Sequence, residues 1–334
     1  MDLPVIDVGP LVTGRGDPAG VIGAVASACA DHGFFYVVGH GVDPELTGRL
    51  DTAAREFFAL PHDVKEGVRM ELGGPAWRGW FPLGGELTSG VPDRKEGYYF
   101  GSELPADDPR VVAGLPLHGP NLFPDQPAAL RPTVLSYLDA LTTLGHRLVE
   151  AIAASLGIDP TILGSICDDP TVLFRIFRYP ASDGGHEWGV GEHTDYGLLT
   201  ILLQDQHGGL EVLTDGRWTP APPIEGSFVC NIGDMLDRMT GGRYRSTAHR
   251  VRNTSGADRF SFPFFFDPSW GARVPRLVPD PVDTSSGRWD GADVAAFEGT
   301  YGEYLLGKVA RVFPELDGAV LQTRDERTSG RHHD

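Results

Sequence analysis

The spacing of hydrophobic positions changes period partway along the chain. From Gln126 to Leu156 apolar residues recur every three or four positions, with Val134, Leu138, Leu141, Leu144, Leu148 and Ile152 on one stripe. That period predicts a long amphipathic helix. His146 falls off the stripe, which predicts a surface position. From about residue 171 to 267 the pattern shortens to alternation and brief apolar runs, such as Leu198-Leu199-Thr200-Ile201-Leu202-Leu203, and these predict strands. Turn signals at Asp205 to Gly209, Asp215-Gly216, Gly233-Asp234, Gly241-Gly242 and Asn253 to Asp258 cut this region into eight or so antiparallel strands. A double-sheet jelly roll closes the edges of such strands and leaves a mouth for ligands. The expected fold class is mainly β with flanking helices (α+β), built on a double-stranded β-helix (jelly roll) core.

The flanks add helices and a cap. Asp17-Pro18 supplies a helix start, with Asp as the cap and Pro at the first helical position. That helix is predicted to reach about His32, followed by a strand over Phe34 to Val38 and helix from Glu45 to about Val68, broken at Pro61. Residues 71 to 92 read as a Gly-rich loop holding Trp77, Arg78 and Trp80. Beyond the core, a Pro-rich connection over residues 268 to 290 leads to a carboxy-terminal helix at about Ala292 to Val312. The chain divides into a mixed helix and strand cap (1–115), the long helix and its connection (116–170), the jelly-roll core (171–267) and a carboxy-terminal segment (268–334), as one integrated unit. His332-His333 sits in a polar tail and is predicted to be disordered rather than metal-binding.

Composition narrows the classes. A chain of 334 residues with 41% hydrophobic content can bury a large core. Its net charge of −18 excludes the clustered Lys and Arg of a nucleic-acid footprint. Cys29, Cys167 and Cys230 have neither disulfide-framework nor metal-ligand spacing, and the amino terminus lacks a basic region before an apolar core. No apolar run is long enough to span a bilayer, so a cytoplasmic protein with reduced thiols is expected, in which the Asn253-Thr-Ser255 sequon is inert. Oligomeric state is not legible.

Candidate chemistry concentrates on His193, Asp195 and His249. Side chains at i and i+2 of a strand project to one face, so His193 and Asp195 can grip one ion if this segment leads into a strand. His249 lies in Tyr244 to Val251, which is predicted to be another strand. Two imidazoles and one carboxylate on one face of an iron leave the opposite positions open for oxygen and a co-substrate. A zinc hydrolase would place such ligands as His-Glu-x-x-His on a helix, and no such motif occurs. Gly14-Arg-Gly16-Asp-Pro-Ala19 fits the glycine pattern of an NAD-dependent dehydrogenase, but the acid expected about 20 residues on is missing. A non-catalytic binding protein is disfavoured by the intact ligand set.

Several segments carry a family resemblance: Gly191-Glu-His-Thr-Asp-Tyr-Gly, Asn231-Ile-Gly-Asp234, Tyr244-Arg-Ser-Thr-Ala-His-Arg250 and Arg259-Phe-Ser261, with Gly33 to Val42 and Lys95 to Gly101 in the amino-terminal half. Over about residues 3 to 310 the chain resembles the iron- and 2-oxoglutarate-dependent dioxygenases of the isopenicillin N synthase-like family. The resemblance implies His193, Asp195 and His249 as Fe(II) ligands, Arg259 and Ser261 as holders of the far carboxylate of 2-oxoglutarate, and O2 as oxidant. A planar guanidinium suits a carboxylate for physical reasons as well. Tyr179 matches a tyrosine that touches 2-oxoglutarate, whereas Phe177 stands where many relatives carry asparagine. Members that do not use 2-oxoglutarate, including the oxidative cyclase that names the group, also carry Arg-x-Ser.

The expected reaction is oxidation of a small-molecule substrate, by default hydroxylation, with release of succinate and CO2. Candidate substrate contacts are Arg78, Trp80, Tyr98, Phe100, Arg175, Phe264 and Phe266. Arg175 alone has a geometric argument: alternation along Thr171 to Tyr179 places it with Phe177 and Tyr179 on one face, which the resemblance implies looks into the barrel, and there it either anchors the substrate or pairs with a nearby carboxylate for structure.

Overall fold

A computed structural model describes residues 2–88, 90–181, 188–278 and 297–312. Twelve strands are present among them: β1 (Val5–Asp7), β2 (Phe34–Val38), β3 (Gly79–Phe81), β4 (Glu96–Gly101), β5 (Pro170–Tyr179), β6 (Val190–His193), β7 (Leu199–Gln204), β8 (Leu210–Thr214), β9 (Arg217–Pro220), β10 (Phe228–Ile232), β11 (His249–Val251) and β12 (Arg259–Ser269). The helices are α1 (Gly9–Thr13), α2 (Pro18–Asp31), α3 (Pro44–Phe58), α4 (His62–Glu66), α5 (Pro109–Val112), α6 (Leu130–Leu156), α7 (Pro160–Ile166), α8 (Asp234–Met239) and α9 (Tyr301–Val312). Helices α2, α3, α5 and α7 each begin at an Asp-Pro pair, in which the Asp carboxylate accepts the N–H two residues on. The side chain satisfies an orphan donor of the first turn, and proline presets the helical φ.

The strands form two sheets. The larger runs β1-β2-β10-β7-β12-β5-β4-β3 and the smaller β6-β11-β8-β9. All eight strands after residue 169 pair antiparallel, so the jelly-roll core is as expected. The amino-terminal half supplies both edges of the larger sheet, β1 and β2 beside β10, and β3 and β4 beside β5. The predicted cap is therefore continuous with the core sheet. Helix α6 lies across the outer face of that sheet, where its leucine stripe is buried with Phe174 and Phe266.

Several expectations are corrected. Helix α6 starts at Leu130 rather than Gln126. The 71–92 segment is not all loop, since it holds a 3-10 turn over Met70–Ala76 and strand β3. Only His249–Val251 of the Tyr244 to Val251 segment is strand. Before it, the Tyr244 N–H bonds Thr240, the Ser246 N–H bonds Asp237 and the Thr247 hydroxyl bonds the His32 carbonyl, so side chains and a loop carbonyl take the place of a ladder. The predicted turn at Gly233-Asp234 opens helix α8 instead. His146 is half-buried, with its ring 4.9 Å from that of Phe266. The Gly14 to Ala19 segment joins α1 to α2 rather than a strand to a helix, which removes the dinucleotide-binding reading. The carboxy-terminal helix is described from Tyr301, while residues 292–296 and His332-His333 lie outside the described residues. Among the described residues no helix is long and apolar enough to cross a membrane. The three cysteines are buried and unpaired.

Gly145 marks where α6 meets the sheet, because a Cβ there would stand 2.4 Å from the Phe266 ring. Helix propensity alone would make Gly145→Ala stabilising by about 1 kcal/mol. Overpacking against a wholly buried ring costs about 1–3 kcal/mol, so a net fall in the thermal midpoint is expected. An unchanged or raised midpoint would contradict this packing.

Candidate metal centre and co-substrate pocket

His193 is the last residue of β6 and pairs in register with His249 of β11. Cross-strand neighbours bring the two rings to a centroid distance of 4.1 Å. Asp195 does not continue the strand. It occupies the turn that carries the chain from β6 in the smaller sheet to β7 in the larger, and its Oδ1 lies 3.9 Å from His193 Nε2 and 3.7 Å from His249 Nε2. One donor atom from each of the three falls within 4.8 Å of the others.

Neighbouring groups aim all three ligands. His193 Nδ1 meets the Gly191 carbonyl at 2.8 Å and His249 Nδ1 meets the Thr247 carbonyl at 3.2 Å; each carbonyl calls for the proton on Nδ1 and leaves Nε2 as a lone-pair donor. Asp195 Oδ2 accepts from the Asn231 amide at 2.7 Å and from the Thr200 hydroxyl, so Oδ1 is the oxygen turned to the imidazoles. Burial, aided by His249, pushes the His193 pKa down to about 3, which keeps the ring neutral. Burial alone would raise Asp195, but the imidazoles of His249 and His193, then Asn231 and Thr200, hold it below the usual carboxylate range. Two neutral nitrogens and one anionic oxygen converging from one side fit a ferrous ion.

The turn itself is braced. The first N–H groups of α8 meet its carbonyls, Asp234 N bonding Asp195 O at 2.8 Å and Met235 N bonding Gly197 O at 3.0 Å. Asp267 Oδ1 accepts the Leu198 N–H at 3.0 Å, and its other oxygen takes the Tyr301 hydroxyl of α9. Burial pushes the Asp267 carboxyl up to about 7. Asn231, Thr200 and Asp267 were not among the expected site residues. The Asn231 to Asp234 segment held a usable signal, since it carries both the amide on Asp195 and the start of α8.

The opposite wall comes from the larger sheet. Arg259 and Ser261 on β12 and Tyr179 on β5 line a cavity of about 100 Å3 together with the three ligands. Arg259 pairs with Tyr179 across the strands, and the Tyr179 hydroxyl lies 3.2 Å from Ser261 Oγ. The Arg259 guanidinium is wholly buried and rests 4.9 Å over the Tyr179 ring. Its Nε bonds the Gly208 carbonyl and its Nη2 reaches Gln204 at 3.3 Å, but Nη1 has no partner. A buried cationic donor left unmade is costly, and an incoming carboxylate would satisfy it. Asn253, the sequon residue, is buried, and its amide donates to the carbonyls of Tyr179, Pro180 and Ala257, which ties down this end of β5. Phe177 replaces a polar contact with an apolar wall on which Lys95 Nζ sits at 4.8 Å.

Most of the expected substrate contacts lie elsewhere. Arg78 is buried and donates to the carbonyls of Ser102, Leu117 and Gly119; Trp80 donates to Glu96 and Tyr98 to the Leu122 carbonyl. Phe100 stacks on Tyr98 and Phe174. Phe264 and Phe266 have the wrong parity: if Arg259 and Ser261 face the cavity, so must Phe265, and it does. Arg175 alone of that group lines the cavity, where Glu86, Lys95 and Phe265 join it without having been anticipated.

A jelly roll that presents two imidazoles and a carboxylate beside a buried arginine defines a non-haem iron oxygenase. Comparison with known proteins agrees. Residues 168–268 match the 2OG-Fe(II) oxygenase superfamily and residues 3–126 the family described as non-haem dioxygenase in morphine synthesis N-terminal. The chain belongs to the 2OG-Fe(II) oxygenases. It is 49% identical to a probable iron/ascorbate oxidoreductase of Dictyostelium discoideum, over 89% of this chain and 90% of that protein. It is 37% identical to a 1-aminocyclopropane-1-carboxylate oxidase of Dictyostelium mucoroides, over 94% and 95%. A full-length Neurospora crassa protein, crystallised in complex with alpha-KG, superposes with a TM-score of 0.73 at 26% identity, covering 92% of this chain and 96% of that one. The protein is an Fe(II)- and 2-oxoglutarate-dependent dioxygenase.

Asn231→Ala removes one of the two donors that fix Asp195. Loss of such a partner costs on the order of 10–100-fold in metal affinity, which anaerobic Fe(II) titration reads directly. Wild-type affinity in this variant would show that the hydrogen bond does not aim the ligand.

Proposed function

We propose that the protein hydroxylates an unactivated C–H bond of a small organic molecule, converting 2-oxoglutarate to succinate and CO2. The observation that carries this reading is the partnerless Nη1 of buried Arg259 in the same cavity as the three ligands. In this reading His193, Asp195 and His249 hold Fe(II), and Arg259 with Ser261 binds the far carboxylate of the co-substrate, with Tyr179 beside them. Bound iron supplies the oxidising power, by coupling decarboxylation of the keto acid to insertion of one oxygen atom from O2 into the substrate. The chain's own part is to bind, orient and exclude water. Arg259 offsets one carboxylate charge and, stacked on Tyr179, holds it in one orientation. Leu202, Leu210 and Val251 keep the cavity largely apolar, which limits side reactions with solvent.

Anaerobic protein with Fe(II) and 2-oxoglutarate is expected to develop a metal-to-ligand charge-transfer band, and to release succinate on aeration. Arg259→Ala should weaken 2-oxoglutarate by about 1.5–3 kcal/mol, the worth of a charged hydrogen bond, while Asp195→Ala should abolish turnover. A wild-type protein with neither band nor succinate would contradict the proposed reaction, and unchanged 2-oxoglutarate affinity in Arg259→Ala would remove that residue's assigned role.

A further inference from the structure

The cavity carries a second guanidinium that the iron and the co-substrate do not use. Arg175 projects from β5 into the same space as Phe177 and Tyr179. Its carbon Cζ lies 4.2 Å from the ring centroid of Tyr99 and 4.9 Å from that of Phe265. Rings on its faces leave the N–H edge for an acceptor. Its one ion-pair partner among the described residues is Glu86, at 3.5 Å, which is too long for a good hydrogen bond, while Asp195 and Asp267 act on it from farther off. Arg175 Nε is buried without a partner, and no hydrogen bond from this guanidinium is made among the described residues.

Glu86 is committed elsewhere. It accepts the Tyr99 hydroxyl at 2.7 Å and pairs with Lys95 at 2.9 Å, and Lys95 also holds Asp93. Lys95 thus takes the close contacts of both carboxylates, and Arg175 keeps a distant share of one. A nearly buried cation with unmade donors is a standing cost unless a ligand completes it.

Arg175 and Arg259 spring from different points of the cavity wall. Arg259 pairs with Tyr179, and Arg175 stands four residues back along β5. At about 3.3 Å per residue that is roughly 13 Å between the backbone positions along the strand, so the two side chains enter the cavity from separate points. We propose that Arg175 is the anchor of the oxidised substrate and that this substrate carries a carboxylate on an apolar body. A carboxylate fits because its planar pair of oxygens matches the guanidinium edge, and the neighbouring wall of Leu173, Phe177 and Phe265 is apolar. A phosphate would bring a second negative charge close to Glu86 and Asp195. The assignment rests on the iron and 2-oxoglutarate reading above.

The test uses the Fe(II)- and 2-oxoglutarate-loaded protein under anaerobic conditions, with 3-phenylpropionate and its neutral amide as probes. The acid is expected to perturb the charge-transfer band and, on aeration, to speed succinate release, while the amide does neither. Arg175→Gln should weaken the acid's effect by about 10–100-fold and Arg175→Lys should restore part of it, with folding checked by circular dichroism. Three results would overturn the proposal: equal effects of acid and amide, no effect of either, or an acid response that Arg175→Gln and Arg175→Lys both leave intact. Failure of the underlying reading is distinguishable, because the band would then be missing before any probe is added.

Discussion

The site depends on one turn, residues 194–198, by which the chain crosses from the smaller sheet to the larger. A strand alone would fix His193 and His249 as cross-strand neighbours but could not bring a carboxylate between them. The turn does so only if it is rigid. Its rigidity comes from main-chain bonds to the start of α8 and from the buried Asp267 carboxylate beneath Leu198. Close packing adds a steric limit: a Cβ on Gly197 would lie 1.4 Å from Asp267 Oδ1, and one on Gly233 would lie 2.3 Å from the Gly197 carbonyl. Two glycines meeting face to face let the turn and the helix start share this space.

The two sheets divide the chemistry. The histidines come from the smaller sheet and Arg175 and Arg259 from the larger, so their separation is set by sheet packing rather than by any flexible loop. Such placement on rigid elements is what a site needs when binding energy must go into orientation. The amino-terminal half also contributes more than cover. It extends the larger sheet at both edges and brings Tyr99, Glu86 and Lys95 against the cavity wall.

Much of this was legible in the sequence, for identifiable reasons. Long-period patterns carried α6, and Asp-Pro pairs marked helix starts because the capping chemistry is local. His193 and His249 were legible from their strands, whereas Asp195 reaches the same side from a turn that the two-residue spacing alone does not reveal, and Arg259 was legible through the family resemblance. What escaped was set by tertiary contact. Asn231 and Thr200 matter only once Asp195 is in place, and α8 is too short to announce itself by periodicity. Tyr244 to Thr247 looks β-forming but is captured by side-chain and loop partners. Phe265 was within reach, since the parity that turns Ser261 inward also turns Phe265 inward.

The central claim is that His193, Asp195 and His249 bind a single ferrous ion. X-ray absorption at the iron edge of anaerobically loaded protein measures this most directly. Scattering from two imidazoles is expected in the wild type, from one in His249→Ala, and a changed oxygen shell when 2-oxoglutarate is added. A spectrum without imidazole scattering, or one that His249→Ala leaves unchanged, would contradict the account.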